Sequence, residues 1–278
     1  MTLLGAAQIR ELAAKLDLKP SKSLGQNFVI DSNVCTKIVR TAGVTADDIA
    51  LEIGPGLGSL TLAMLDAAKS VIAVEIDPRL AEQLPLTVAE HFEHPENLTV
   101  INKDALAVHD LPVAPTVLVA NLPYNVSVPV LLHLLEKFPT IRTGVVMVQA
   151  EVADRLAAKP GGKEYGIPSV KAAWWADVKN VGTVSRSIFW PAPNVDSKLV
   201  SFTRRTTPGD EVLRKKVFTI IDAAFAQRRK MMRAALSDLC GGSAAASSII
   251  EASGIDPTIR GESLQLSDFI KIAITLSK

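Results

Sequence analysis

The sequence predicts an α/β chain in which a parallel sheet with helices on both faces precedes a small all-helical C-terminal domain. Two patterns carry this. Short apolar runs alternate with amphipathic stretches as far as Gln149, as expected of strands joined by crossover helices. From Arg204 onward only helical patterns remain. Size agrees: 278 residues, 48% of them hydrophobic, suit one large core plus a small second one.

In chain order, residues 6–17 read as an amphipathic helix and KPSKSLGQNFV at 19–29 as a basic, glycine-containing loop. Asp31 is placed to cap a helix running to about residue 42. Apolar runs at 49–53, 71–76, 98–101, 117–120 and 144–148 are nearly continuous, the mark of strands covered on both faces. Helix-compatible stretches fall near 58–67, 78–91 and 127–137. A short helix at 151–158 and a loop, KPGGKEYG, lead to two more strands near 178–184 and 198–203. The prolines of SIFWPAPNVDS between them exclude a regular element. Helices follow at 210–227, 229–240, 243–253 and 266–276. The expected domains are therefore 1–204 and 205–278.

Net charge is +1, so only local clustering can speak for a nucleic-acid partner. Cys35 and Cys240 have no metal-ligand spacing and read as reduced thiols of a cytoplasmic protein. His91, His94, His109 and His133 form no metal motif, and no metal is expected. The N-terminus lacks the basic start and apolar block of a signal peptide, and no apolar run reaches about 18 residues, so no membrane span is expected.

Four motifs carry chemistry. Gly54, Gly56 and Gly58 follow the first core strand and open a helix. Alternate glycines allow close backbone approach to a ligand. The spacing G-x-G-x-G differs from the dinucleotide pattern, and Pro55 lacks the N–H a pyrophosphate cradle needs. Glu75 ends the next strand, about 20 residues on, where a carboxylate can accept both ribose hydroxyls. Asp104 ends the third strand and suits an adenine exocyclic amine, although a helix N-cap is the other reading. The trio fits an adenosine without phosphates. Asn121-Leu122-Pro123-Tyr124 follows TVLVA. An exocyclic amine is a weak nucleophile. Acceptors at the Asn121 side chain and the next backbone carbonyls would grip its two hydrogens, and an aromatic ring would stack on an extruded base. A plain proline turn is the alternative. Finally, Arg204, Arg205, Arg214, Lys215, Lys216, Arg228, Arg229, Lys230 and Arg233 face only Asp210, Glu211 and Asp222 over 204–233. Such a stripe, extended by Lys19, Lys22 and Lys37, suits RNA phosphates or is a solvated face.

These blocks together resemble the ribosomal RNA adenine N6-dimethyltransferases, and within them the bacterial small-subunit (KsgA/RsmA-type) branch. The resemblance is carried by LGQNF, EIGPGLGSLT, VEID, DAL, NLPYN, KPGGKEYG, FWPAPNVDS and AFAQRRKMMRAAL. It implies a Rossmann-like methyltransferase sheet and a helical RNA-binding tail. The implied reaction moves methyl groups from S-adenosyl-L-methionine to two adjacent adenosines in a hairpin near the 3′ end of 16S rRNA. The implied acceptor is an immature small subunit, and the implied enzyme is a cytoplasmic monomer with a role in subunit biogenesis. It further implies cofactor contacts at Asn27, Val29, Gly54, Gly56, Glu75, Asp104 and Asn121. Tyr124 stacks on the base, Phe189 is the candidate second face, and Arg228, Arg229, Lys230, Arg233 and Lys22 meet RNA. Val29 stands where leucine is usual, and Val128 where threonine often follows NLPYNxS. The rivals are a large-subunit methyltransferase of the resistance type, a ribosome-assembly factor acting mainly by RNA binding, and a nicotinamide dehydrogenase. The glycine spacing argues against the last.

Overall fold

A computed structural model describes residues 2–18 and 26–277. The strands are β1 (Phe28–Val29), β2 (Ile49–Ile53), β3 (Ser70–Glu75), β4 (Leu98–Asn102), β5 (Val117–Asn121), β6 (Thr143–Gln149), β7 (Ala176–Val184), β8 (Phe189–Trp190) and β9 (Ser197–Arg204). The helices are α1 (Ala6–Lys15), α2 (Ser32–Ala42), α3 (Ser59–Leu65), α4 (Pro78–His91), α5 (Ser127–Lys137), α6 (Ala150–Ala157), α7 (Ile167–Ala172), α8 (Glu211–Ala226), α9 (Met232–Ala235), α10 (Ser237–Cys240), α11 (Ser243–Ala252) and α12 (Leu266–Thr275).

Seven strands form one sheet in the order β4-β3-β2-β5-β6-β9-β7. Neighbours from β4 to β6 run parallel, and β9 pairs with β6 antiparallel. The middle strands β2, β3, β5 and β6 are almost wholly buried, which explains their unbroken apolar runs. Because they are parallel, their carboxyl ends share one edge, the side on which open α/β sheets bind ligands. Order reverses between β2 and β5, so the crevice opens at the ends of β2, β3, β4 and β5.

Local signals fix the helix boundaries. The Asp31 carboxylate accepts the N–H groups of Asn33 and Val34 at the start of α2, and Gly43 ends it at φ 68°. Asp77 caps α4, with Pro78 in its first turn. Asp210 caps α8 through the Leu213 N–H.

The chain divides into two compact units, Met1–Ala153 with Lys179–Arg204, and Asp154–Val178 with Arg205–Lys278. A single cut at 204/205 therefore misses one segment. Residues 154–178 pack with α8: Trp174 and Trp175 meet Phe218 edge-on, and Tyr165 meets Phe225. The Tyr165 hydroxyl donates to the Leu264 carbonyl at 2.8 Å, and Lys171 pairs with Asp222 at 2.7 Å. Aromatic burial of this kind outweighs the sequence proximity of the segment to β6.

Two further expectations are corrected. The proline-rich segment does hold a strand, since β8 pairs antiparallel with β1, with Phe28 opposite Trp190 and Val29 opposite Phe189. The helix expected at 229–240 is two short pieces, because Met231 bridges Arg260 and the Met232 N–H is taken by the Ile259 carbonyl.

Candidate functional site

At the carboxyl edge of the sheet lies a cleft lined by β1, the glycine turn, and the ends of β2, β3, β4 and β5. Gly54, Gly56, Glu75, Asp104, Asn121, Asn27, Val29 and Pro123 all line it. Eight residues scattered from 27 to 123 thus converge because each follows, caps or covers a strand end.

The glycine turn is built by backbone geometry. Gly54 and Gly56 adopt φ 68° and 58°, where side chains are strained. A Cβ on Gly56 would also meet the Phe28 ring at 2.9 Å. The β1 strand is tied down over this turn, as the Ser59 hydroxyl donates to the Val29 carbonyl at 2.6 Å. Val29 thus gives its carbonyl to Ser59, and the residue also lines the cleft.

Glu75 is 5% exposed. Its two oxygens accept the N–H groups of Asp77 (2.9 Å) and Gly56 (3.2 Å). Each oxygen keeps a further lone pair for a donor in the cleft. Burial raises its pKa, while the two backbone donors pull it back. Asp104 caps a short 3-10 turn, accepting the Leu106 N–H at 2.9 Å through Oδ1. The N-cap reading of Asp104 is thus observed, and the residue also lines the cleft.

Asn121 ends β5, with its Nδ2 donating to the Asn27 carbonyl at 3.1 Å. That bond fixes the amide so that Oδ1 remains an acceptor. Leu122 is buried and bonded to the Met147 carbonyl, which anchors the loop to β6. The Tyr124 hydroxyl and the wholly buried Ser197 Oγ lie 2.8 Å apart, and burial raises the tyrosine pKa. Ser197 begins β9, so FWPAPNVDS reaches the Asn121–Tyr124 loop through its last residue. Phe189 is 3% exposed and belongs to the apolar core.

One cleft residue was given no role from sequence. Glu52, in β2, is 1% exposed and accepts the Thr61 hydroxyl at 2.6 Å. Burial pushes its pKa up to about 8 despite that bond. Only its depth in the fold distinguishes it, which a motif cannot show.

The basic stripe divides by function. Arg204 donates to the carbonyls of Leu135, Phe138 and Ile141. Arg214 is bidentate to Glu211 and lies over the Trp175 and Phe218 rings. Arg228 donates to Glu262 (2.8 Å) and to the Lys163 carbonyl (2.6 Å). These three are structural in their present positions. Arg205 and Lys215 pair with Asp177 and Glu211. Arg229, Lys230 and Arg233 are exposed, and among the described residues the first two make no ion pair. Lys19 and Lys22 lie outside the described residues. Among the described residues no group of three or more His, Cys, Asp or Glu is placed to hold a metal, and no helix is long and apolar enough to cross a membrane.

Comparison with known proteins gives the same direction. Ribosomal RNA small subunit methyltransferase A of Leifsonia xyli subsp. xyli is 59% identical over 275 residues, covering 98% of both chains. The protein of that name from Streptomyces avermitilis is 58% identical over 274 residues, 98% of this chain and 93% of its own. Among solved structures, a dimethyladenosine transferase from Plasmodium falciparum superposes with a TM-score of 0.75 at 26% identity, covering 88% of this chain and 95% of that one. The 23S rRNA methyltransferase ErmE gives 0.67 at 26% identity, covering 91% and 100%. The family described as ribosomal RNA adenine dimethylase matches residues 18–278, and with relatives of this identity and coverage the chain belongs to that family.

Proposed function

We propose that this chain transfers methyl groups from S-adenosylmethionine to the N6 amine of adenines in small-subunit ribosomal RNA. The observation that carries the reading is the Asn121 amide. It is oriented by the Asn27 carbonyl at 3.1 Å, in the same cleft as Gly54, Gly56 and Glu75. The donor set suits the methyl donor: a carboxylate with spare lone pairs for a ribose, a second carboxylate one strand over, and a turn whose Gly56 leaves no room for a Cβ.

S-Adenosylmethionine supplies an electrophilic methyl group, and the remaining work is alignment. Glu75 holds the ribose hydroxyls and Asp104 the adenine amine. Asn27, Val29 and the glycine turn cover the ligand. Asn121 Oδ1 and a carbonyl in the Leu122–Pro123 segment accept the two N6 hydrogens of the target base. This draws the nitrogen toward a pyramidal, nucleophilic geometry. Tyr124 stacks on the base, and Phe189 is the candidate second face. Arg229, Lys230 and Arg233 hold phosphates, with Lys22 a further contact. The acceptor is 16S rRNA in an immature small subunit, and the enzyme is a cytoplasmic monomer.

Purified protein with labelled methyl donor should modify small subunits lacking the adenine methylation and leave large subunits unlabelled. Mass mapping should find two adjacent dimethylated adenosines. Label confined to large subunits would establish the resistance-type activity instead. RNA binding without any label would leave the assembly role alone.

A further inference from the structure

The two aromatic residues of β8 end in different places. Successive side chains of a strand point to opposite faces. Phe189 is buried in the apolar core, whereas Trp190 packs on its margin and stays part-exposed. Of the three tryptophans in the chain, Trp174 and Trp175 are buried in the second unit. Only Trp190 shows part of its ring to solvent. Its partner across the β1–β8 pair is Phe28, and the two rings stack with centroids 6.3 Å apart and planes 23° from parallel. Phe28 in turn lines the cleft and lies against Gly56. Gly56, Phe28 and Trp190 thus form a column that starts at the glycine turn and ends in solvent. The last ring of such a column is open to stacking by another flat ring.

The chain after Trp190 carries this rim round to the Asn121–Tyr124 loop. Pro191, Ala192 and Val195 are exposed, and Ser197 lies 2.8 Å from the Tyr124 hydroxyl. Arg186 closes the base of the segment, donating to the Asn194 carbonyl at 3.1 Å and pairing with Asp196 at 3.5 Å. The rim is therefore apolar, held in shape, and continuous from the glycine turn to Tyr124. An RNA strand with one base in the cleft must lay its next nucleotide across such a rim.

We propose that Trp190 is the stacking platform for the unpaired base adjacent to the adenine being methylated. The inference rests on the RNA reading above. With the target base against Tyr124, the adjoining nucleotide crosses the rim, and Trp190, backed by Phe28, receives its face. Stacking accepts any base, and a purine offers the larger face. Trp190 thereby serves the binding and placement of the RNA rather than the methyl transfer itself.

The test is steady-state and single-turnover methylation of small subunits lacking the adenine methylation, with calorimetry of S-adenosylmethionine binding beside it. Trp190→Leu keeps apolar bulk against Phe28 but has no flat ring. It should raise KM for subunits roughly 5- to 150-fold, the range of one base–aromatic stack. The single-turnover rate at saturating subunits should change by far less. Trp190→Phe should recover most of the loss. Melting temperature and S-adenosylmethionine affinity should match wild type in both variants. In subunits with uridine in place of the adjacent adenosine, wild-type KM should rise and that of Trp190→Leu should not. Equal KM in Trp190→Leu and Trp190→Phe would overturn the proposal. So would a fall in S-adenosylmethionine affinity that accounts for the lost activity, or the same response to uridine in wild type and Trp190→Leu. Each of these leaves the methyltransferase reading standing. Wild-type protein that binds S-adenosylmethionine but labels no small subunit would overturn both.

Discussion

At the residue scale, each cleft group has a distinct expected failure. On the proposed reading Glu75→Ala would remove two ribose bonds to a buried carboxylate and should weaken S-adenosylmethionine binding by about 1–3 kcal/mol, read by calorimetry. Asn121→Ala should leave melting and cofactor binding nearly intact while cutting single-turnover methylation on the order of 10²–10³-fold. A loop that is only a turn would give the opposite: lower melting temperature and full turnover per folded molecule. Tyr124 is less simple than its ring. From sequence, Tyr124→Phe keeps the stacking platform and most activity. The structure adds a hydroxyl bonded to the wholly buried Ser197, and breaking that bond strands a buried donor. Tyr124→Phe should therefore fall between wild type and Tyr124→Ala in turnover, with Ser197→Ala reproducing its loss. Glu52 also sets a pH dependence of stability. Its pKa is raised from an unfolded value near 4.5 to about 8 in the fold. The unfolded chain binds fewer protons across that window, so the contribution of Glu52 to stability is greatest below 4.5 and falls as pH rises toward 8. The change is on the order of a few kcal/mol. Melting curves from pH 5 to 8 should show a smaller decline for Glu52→Gln than for wild type.

At the scale of elements, legibility followed the range of the forces involved. Helices α4 and α5 match the expected 78–91 and 127–137, because Asp77, Pro78 and the apolar spacing are local signals. The buried strands were legible from their apolar runs. What was not legible depends on partners far along the chain. The β1–β8 pair joins residue 28 to residue 190, and neither two-residue strand has a periodicity of its own. α7 spans six residues between loop-forming glycine and a tryptophan pair, too short to show a helical repeat. The same holds in the site: Gly54, Glu75, Asp104 and Asn121 were legible because each punctuates a strand end, whereas Glu52 and Ser197 became visible only through burial. Arg228 was read as a phosphate contact, but it pins the loop at 159–166 through Glu262 and the Lys163 carbonyl, while the Gly161 N–H donates to the Glu262 carbonyl. Arg228→Ala should therefore destabilise the second unit by about 1–3 kcal/mol and raise amide exchange at 161–165.

At the scale of the whole molecule, a net charge of +1 means that attraction to RNA depends on where positive charge is left uncompensated. The nine cations between 204 and 233 do not act alike. Arg204, Arg214 and Arg228 are committed to carbonyls, a carboxylate or rings, and Arg205 and Lys215 have acidic partners. The exposed Arg229 and Lys230 lie between α8 and α9, and the exposed Arg233 lies in α9, all in the second unit. A phosphate contact there would release counterions, which the folded protein alone does not do. Replacing Arg229 and Lys230 together with alanine should weaken RNA binding and flatten the log–log dependence on salt by up to about 2. Calorimetric affinity for S-adenosylmethionine and the melting temperature should stay as in wild type, because neither residue makes an ion pair among the described residues. Arg228→Ala is the control, since it should lower stability first and change the salt slope by less. An unchanged salt slope in the Arg229 and Lys230 double variant would make this cluster a solvated face, and RNA contact would then have to be sought on other surfaces of the chain.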